Sequence, residues 1–270
     1  VIAAFGLVAS ACAPQAPGGG GTPAPINWMF EGNQVTVNDS QDETCVIFCV
    51  NTHDEPYLMQ IAFKVTIGQP GSATAWRVGS GANEYNDLGA GQSHVLVGPE
   101  RARATFNGVK PLDLLDALNP ANKMDIVGVY SWAMESDLIS YDGAADDFAE
   151  IFEDALNATL AAGVLPTDEQ ALVDRVIDLL FNKLGNAFSL LLANFPLLGG
   201  GDDALGGAVY IGMGATGVLG SAINAVLGSV SIPNTTLLGD NKIPPDIQGG
   251  GLFTVTGPKS FNQTFTGAGG

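Results

Sequence analysis

A strict alternation of side chains in "PYLMQIAFKVTIG" constrains the fold of this chain more than any other feature. Successive side chains of a β-strand point to opposite faces, so residues two apart share one face. One face would carry Tyr57, Met59, Ile61, Phe63, Val65 and Ile67. The other would carry Gln60, Lys64 and Thr66 together with Leu58 and Ala62. The pattern predicts a half-buried strand.

Further runs on both sides of this segment also predict strands. "ETCVIFCVN" (43–51) is apolar on both faces and predicts a central, fully buried strand. "TAWRV", "SHVLV", "RATFN" and "MDIVGVYSWAM" are shorter or later candidates, and "GLFTVTGP" and "SFNQTFTGAGG" return to alternation near the end of the chain. Short strands separated by Gly, Asn and Pro favour an antiparallel β-sandwich-like body built from N- and C-terminal strands.

The hydrophobic period changes from two to helical in the middle of the chain. In "DGAADDFAEIFEDALNATLAAG" a helical stripe would carry Phe148, Ile151, Phe152, Ala155 and Thr159. Thr167 and Gln170 have the spacing of a capping box that opens a second helix, and Pro196 limits it. The predicted class is therefore α+β: a single β-rich domain over 27–270 with a helical hairpin inserted at about 143–230.

The first eleven residues are apolar or small, too few to span a bilayer as a helix, which takes about twenty. Their length fits the apolar part of an export signal, and Ala9-Ser10-Ala11 is a small-residue cleavage pattern. "LVASAC" (7–12) resembles the lipobox of a bacterial lipoprotein-type export signal. That resemblance implies that Cys12 is lipidated and that the protein is tethered to a membrane surface, with 1–11 as a signal-like segment.

Residues 12–26 are rich in Pro and Gly, which is typical of a flexible tether. Two other interpretations of the N-terminal segment stay open. The signal could be cleaved without lipidation, or the segment could be a buried strand, since no Lys or Arg precedes Lys64. No family resemblance extends to residues 27–270.

The charge of the chain restricts its partners. Ten Lys and Arg stand against 28 Asp and Glu, a net charge of -18. Such a surface repels phosphate backbones, and the sequence has no basic stripe to offset this. We therefore expect no nucleic-acid partner, and membrane attachment only through the lipid.

Cys45 and Cys49 form the second cysteine feature. In an exported protein the pair predicts a disulfide. A regular strand would separate their Cα atoms by about 13 Å, beyond the ~7 Å that a disulfide allows, so the bridge requires a turn or bulge between them. The alternatives are two buried thiols or a metal site that also uses His53.

Few other residues suggest chemistry. His53 fits a polar turn, His94 a surface position, and Ser80 has no strand-to-helix context for a nucleophile. The carboxylates at 142–154 fit a solvated acidic face, with a weak calcium site as the alternative. We predict no catalytic residue, no metal ligand and no cofactor.

The predicted function follows from the N-terminus rather than from a site. We expect an exported protein of the bacterial cell envelope, or an extracellular one, with a structural or binding role. This role favours a protein that is not an enzyme over one that is. Its partner would be an envelope protein or a second copy, through the apolar stretch 185–231. The first alternative is a membrane-inserting protein that uses the uncharged stretch 205–231. The second is a secreted hydrolase without a local motif.

Overall fold

The computed structural model describes two β-sheets and a helix. The described residues are 2–12, 25–39, 54–85, 88–112, 122–136, 142–161, 166, 171, 174–175, 178, 203–215, 219–221, 225, 247–254 and 259–266. The predictions for Cys45, Cys49 and His53, most of the tether, and most of the second helix lie outside them.

The first sheet combines strands from both ends of the chain. Its strands are β1 (Ile2–Cys12), β2 (Ile26–Asp39), β5 (Ser93–Val95), β6 (Ala104–Val109) and β10 (Lys259–Thr266). They are ordered β10-β1-β2-β5, and β6 pairs with the first half of β2. All of these pairs are antiparallel. The segment that resembles an export signal therefore forms a strand with a neighbour on each side.

The second sheet is built from the middle of the chain. Its strands are β3 (Pro56–Thr66), β4 (Thr74–Val78), β7 (Asp125–Glu135), β8 (Asp203–Met213) and β9 (Ile247–Thr254). Their order is β4-β3-β7-β8-β9. The β8–β9 pair is parallel, which differs from the wholly antiparallel expectation. A parallel pair needs a long crossover, and 214–246 connects these two strands.

The strand predicted from alternation is confirmed, but its burial differs. The six residues of the predicted apolar face, from Tyr57 to Ile67, lie in the core beneath the helix. Leu58 and Ala62 lie in a second core between the two sheets. β3 is therefore buried on both faces rather than half-buried, because the first sheet covers the face that carries its polar residues.

The first predicted helix is confirmed as α1 (Asp142–Leu156), which continues as a π-helical turn, Asn157–Ala161. Phe148 and Phe152 are fully buried against the second sheet. Phe152 packs edge-on against Phe63 of β3, with ring centroids 5.2 Å apart. Ile151 is 37% exposed, so its place in the predicted stripe is wrong.

The predicted helical insertion at about 143–230 is interrupted by β8. Tertiary context decides this, because β7 and β9 pair with β8 on its two sides. The glycines of β8 allow close approach of a side chain from the neighbouring strand rather than of a second helix. A Cβ on Gly207 would lie 2.5 Å from Cε2 of Tyr130 in β7. Helical residues do occur on either side of β8, at 171, 174, 175, 178, 219–221 and 225. Most of the described chain is in the strands of two sheets and one long helix packs on them, which is consistent with the α+β class.

Candidate functional site

The candidate lipidation residue, Cys12, is the last residue of β1 and pairs with Asn27 of β2. Asn27 Oδ1 accepts a hydrogen bond of 3.0 Å from the backbone N–H of Gly108. We call Cys12, Asn27 and Gly108 the Cys12 end of the body. β2 begins at Ile26, so the two ends of the predicted tether, Cys12 and Ile26, both lie at this end of the sheet.

A buried carboxylate lies close to the Cys12 end. Asp125 is 1% exposed and accepts hydrogen bonds from Thr66 Oγ1 at 2.7 Å and from the Lys110 N–H at 2.9 Å. Lys64 Nζ lies 3.5 Å from Asp125 Oδ2 and donates to the Gly108 carbonyl at 3.2 Å. These contacts satisfy the buried charge and fasten the ends of β3, β6 and β7 together. The cluster is suited to stabilising this end rather than to catalysis.

Part of the predicted acidic face of α1 is paired with Arg77 of β4. The guanidinium lies 2.9 Å from Asp146 Oδ1 and 3.3 Å from Asp142 Oδ2. The hydrogen bond with Asp146 raises the pKa of Arg77 above its usual value, and burial opposes the rise. Ser80 Oγ donates to Asp142 Oδ2 at 2.6 Å. The face is thus an attachment of the helix to β4, whereas Asp147, Glu150 and Asp154 are exposed as predicted.

His94 is held in a compact contact at the edge of the first sheet. Its ring stacks on Tyr85 with centroids 3.5 Å apart, and its Nε2 lies 2.8 Å from Glu100 Oε2. Glu100 also accepts a hydrogen bond from the Val97 N–H at 2.8 Å. His94 is therefore half-buried rather than a free surface residue. Since the Ser80 hydroxyl donates to Asp142, Ser80 and His94 are engaged in separate contacts.

One ion-pair cluster was missed by sequence analysis. Glu31 of β2 is 7% exposed and lies between Arg101 and Arg103. Its Oε1 is 2.9 Å from Arg101 Nη1, and its Oε2 is 2.7 Å from Arg103 Nε. The partners are about 70 positions apart in sequence, so no local pattern pairs them. The two arginines cover the carboxylate and neutralise it, which permits its burial.

The face of the first sheet that points away from the second sheet exposes many uncharged polar side chains, together with Val95. We call this surface the polar face. Its exposed side chains are Asn27, Gln34, Ser93, Thr105, Asn107, Ser260, Asn262, Thr264 and Thr266. Thr36 Oγ1 and Ser93 Oγ are hydrogen-bonded at 2.8 Å. Hydroxyl and amide groups can donate and accept hydrogen bonds, so this surface can recognise an uncharged polar partner.

The stretch 205–231 was predicted as a candidate for membrane insertion. Its first part is described, and residues 205–215 are all buried in the second sheet and its core. Insertion of that part into a membrane would require β8 to leave β7 and β9.

No group of three His, Cys, Asp or Glu among the described residues could hold a metal ion. Within the same residues, no helix is long and apolar enough to cross a bilayer. No protein-family model, curated protein or solved structure matches the chain.

Proposed function

We propose that the protein is an exported protein of the bacterial cell envelope with a structural or binding role, tethered by a lipid on Cys12. The observation that carries the proposal is the order of three features: the lipobox-like "LVASAC", a Pro- and Gly-rich segment, and the long strand β2 that begins at Ile26. Fully extended, residues 13–25 would reach about 45 Å, enough to hold an acidic body away from an anionic membrane.

The fold that we propose for this body is a β-sandwich with an inserted helical hairpin. Residues of both sheets share one buried cluster, which supports face-to-face packing. The helical residues at 171, 174, 175 and 178 support a second helix after α1, and Arg175 pairs with Asp178 at 2.7 Å across three positions.

The binding role rests on the polar face of the first sheet. Its exposed hydroxyl and amide groups suit contact with another envelope component through hydrogen bonds. Association through 185–231 remains part of the proposal, and it would use residues outside β8, because β8 is buried.

The test is the covalent state of the protein in cells. The full gene is expressed in a bacterium that processes lipoproteins, and the membrane fraction is analysed by intact mass spectrometry. We expect a chain that starts at Cys12 and carries acyl groups. The matched control is Cys12→Ser, which should move the protein out of the membrane fraction.

A chain that retains residues 1–11 and carries no acyl group would overturn the proposal. Recovery of Cys12→Ser in the membrane fraction would point instead to the insertion alternative. Sedimentation of that variant with protein-free liposomes would then support membrane insertion through 205–231.

A further inference from the structure

Processing at Cys12 would remove β1, which lies between β10 and β2. Both of these neighbours also contact the second sheet through side chains that do not belong to β1. On one side, β10 is fastened to β9 by glutamine side chains. The Gln248 amide donates to the Thr266 carbonyl at 3.0 Å and accepts from the Thr266 N–H at 2.8 Å. Gln263 Nε2 lies 3.5 Å from the Gln248 carbonyl and donates to it. None of these contacts involves β1.

On the other side, β2 is held by an aromatic cluster. The ring of Phe30 in β2 lies 5.1 Å from that of Tyr210 in β8. The ring of Phe261 in β10 lies 4.8 Å from the same tyrosine and 6.2 Å from Phe30. The three rings therefore bridge β2 and β10 while both are packed on the second sheet, and they fix the two strands at a spacing of two inter-strand distances, about 10 Å.

Removal of β1 from this arrangement would leave a gap of one strand width. The backbone N–H and C=O groups of β2 and β10 that face β1 would lose their partners, and such open edges readily pair with another strand. Val35 and Phe265, which pair with Phe5 and Ala3 of β1, belong to the buried core that the two sheets share. The gap is therefore a strand-binding slot with an apolar floor.

The inference rests on the proposed function, because processing at Cys12 is what takes β1 away. The upstream residues that remain, 12–25, contain Pro14, Pro17, Pro23 and Pro25. Proline cannot donate a ladder hydrogen bond, so this segment cannot replace a strand paired on both sides. The segment that stays attached ahead of β2 therefore cannot refill the gap.

The pairing register of β1 with β2 and β10 indicates which side chains a strand in this slot needs at each position. The position of Ala4 is flanked by Thr36 and Thr264, which belong to the polar side. The next position, that of Phe5, is flanked by Val35 and Gln263 on the side of the core. We propose that the processed protein binds, between β2 and β10, an extended and uncharged strand of a partner envelope protein, with bulky apolar residues inward and small residues outward.

The slot is tested in the full chain carrying Cys12→Ser and a protease site inserted at 18–21. The protein is produced without export, so that β1 is present during folding. After cleavage of the folded protein, a fluorescent peptide with the sequence of residues 2–12 is added. We expect it to replace β1 with a stoichiometry of one, with amide protection in β2 and β10 maintained. Two matched peptides test the register: Ala4→Lys should bind within about threefold of the parent, whereas Phe5→Lys should bind at least about tenfold more weakly, because its charge would face the core.

Three results would overturn the slot: unfolding after cleavage, loss of β1 with β2 and β10 still protected and no peptide bound, or equal binding of the two lysine peptides. The intact mass spectrum of the protein from cells distinguishes failure of the proposed function from failure of the slot. A chain processed at Cys12 whose slot takes no peptide overturns the slot and leaves export standing. If the chain in cells is unprocessed but the cleaved protein still exchanges β1 for the peptide, the proposal of a partner strand is overturned. In that case β1 itself is the strand that occupies the slot.

Discussion

The two sheets differ in how they are covered, although each has five strands. The second sheet is buried on both faces, by α1 on one side and by the first sheet on the other. The first sheet is covered on one face and presents the polar face on the other. Strands buried on both faces carry most of the apolar area, so we expect the second sheet to hold most of the free energy of folding.

The difference in covering also means that the most stabilising residues and the exposed surfaces lie in different sheets. The Cys12 end, the polar face and the β1 position all belong to the first sheet. If this division is correct, substitutions should act strongly in the second sheet and weakly on the polar face, whereas opening of the fold should begin at β1.

The largest effect should come from the core between the second sheet and α1. Trp132 is fully buried and packs edge-on against Phe148, with ring centroids 5.2 Å apart. Trp132→Ala should lower the free energy of unfolding in urea by about 3–5 kcal/mol, because it removes a large buried side chain. Trp132→Phe should cost less, since the buried indole Nε1 has no hydrogen-bond partner among the described residues.

The matched substitution on the polar face is Thr105→Ala, at an exposed position of β6. It should change the free energy of unfolding by no more than about 0.5 kcal/mol. A loss comparable to that of Trp132→Ala would break the comparison between the sheets.

A pH-dependent effect, smaller than that of Trp132→Ala, is expected where the sheets meet. Burial raises the pKa of the Tyr210 hydroxyl above its ordinary value of 10.0. Above about pH 10 the unfolded chain loses this proton while the native protein retains it, so stability falls as pH rises, by at most about 1.4 kcal/mol per pH unit. Below that pH the contribution is fully present.

Tyr210→Phe removes the ionisable group and keeps the ring between Phe30 and Phe261. Urea unfolding of both proteins at pH 8 and pH 11 would show a smaller loss in the variant. Equal losses in the two proteins would mean that the Tyr210 hydroxyl is open to solvent in the native state.

Several elements follow from the sequence because their signals are local. The alternation from Tyr57 to Ile67 identifies both faces of β3, and the spacing of Phe148 and Phe152 identifies the buried side of α1. The strands β4 to β7 also coincide with short apolar runs between turn residues. In each case neighbouring residues carry the whole pattern.

Other features depend on residues far apart in the chain. The burial of the second face of β3 is supplied by the first sheet, so the alternation alone suggested a half-buried strand. The Glu31 ion pairs join positions about 70 residues apart. The sequence of 2–12 favours an export signal and leaves a buried strand as the alternative, and the pairing of this segment with β2 and β10 joins residues far apart in the chain.

Native-state hydrogen exchange tests the division between the sheets most directly. In the full chain, the amides of β3, β7 and β8 should exchange only through global unfolding, whereas the amides of β2 and β10 that face β1 should exchange through a partial opening about 2 kcal/mol lower in free energy. Equal opening free energies in the two groups of amides would contradict the account, because β1 would then be as firmly held as the strands of the core.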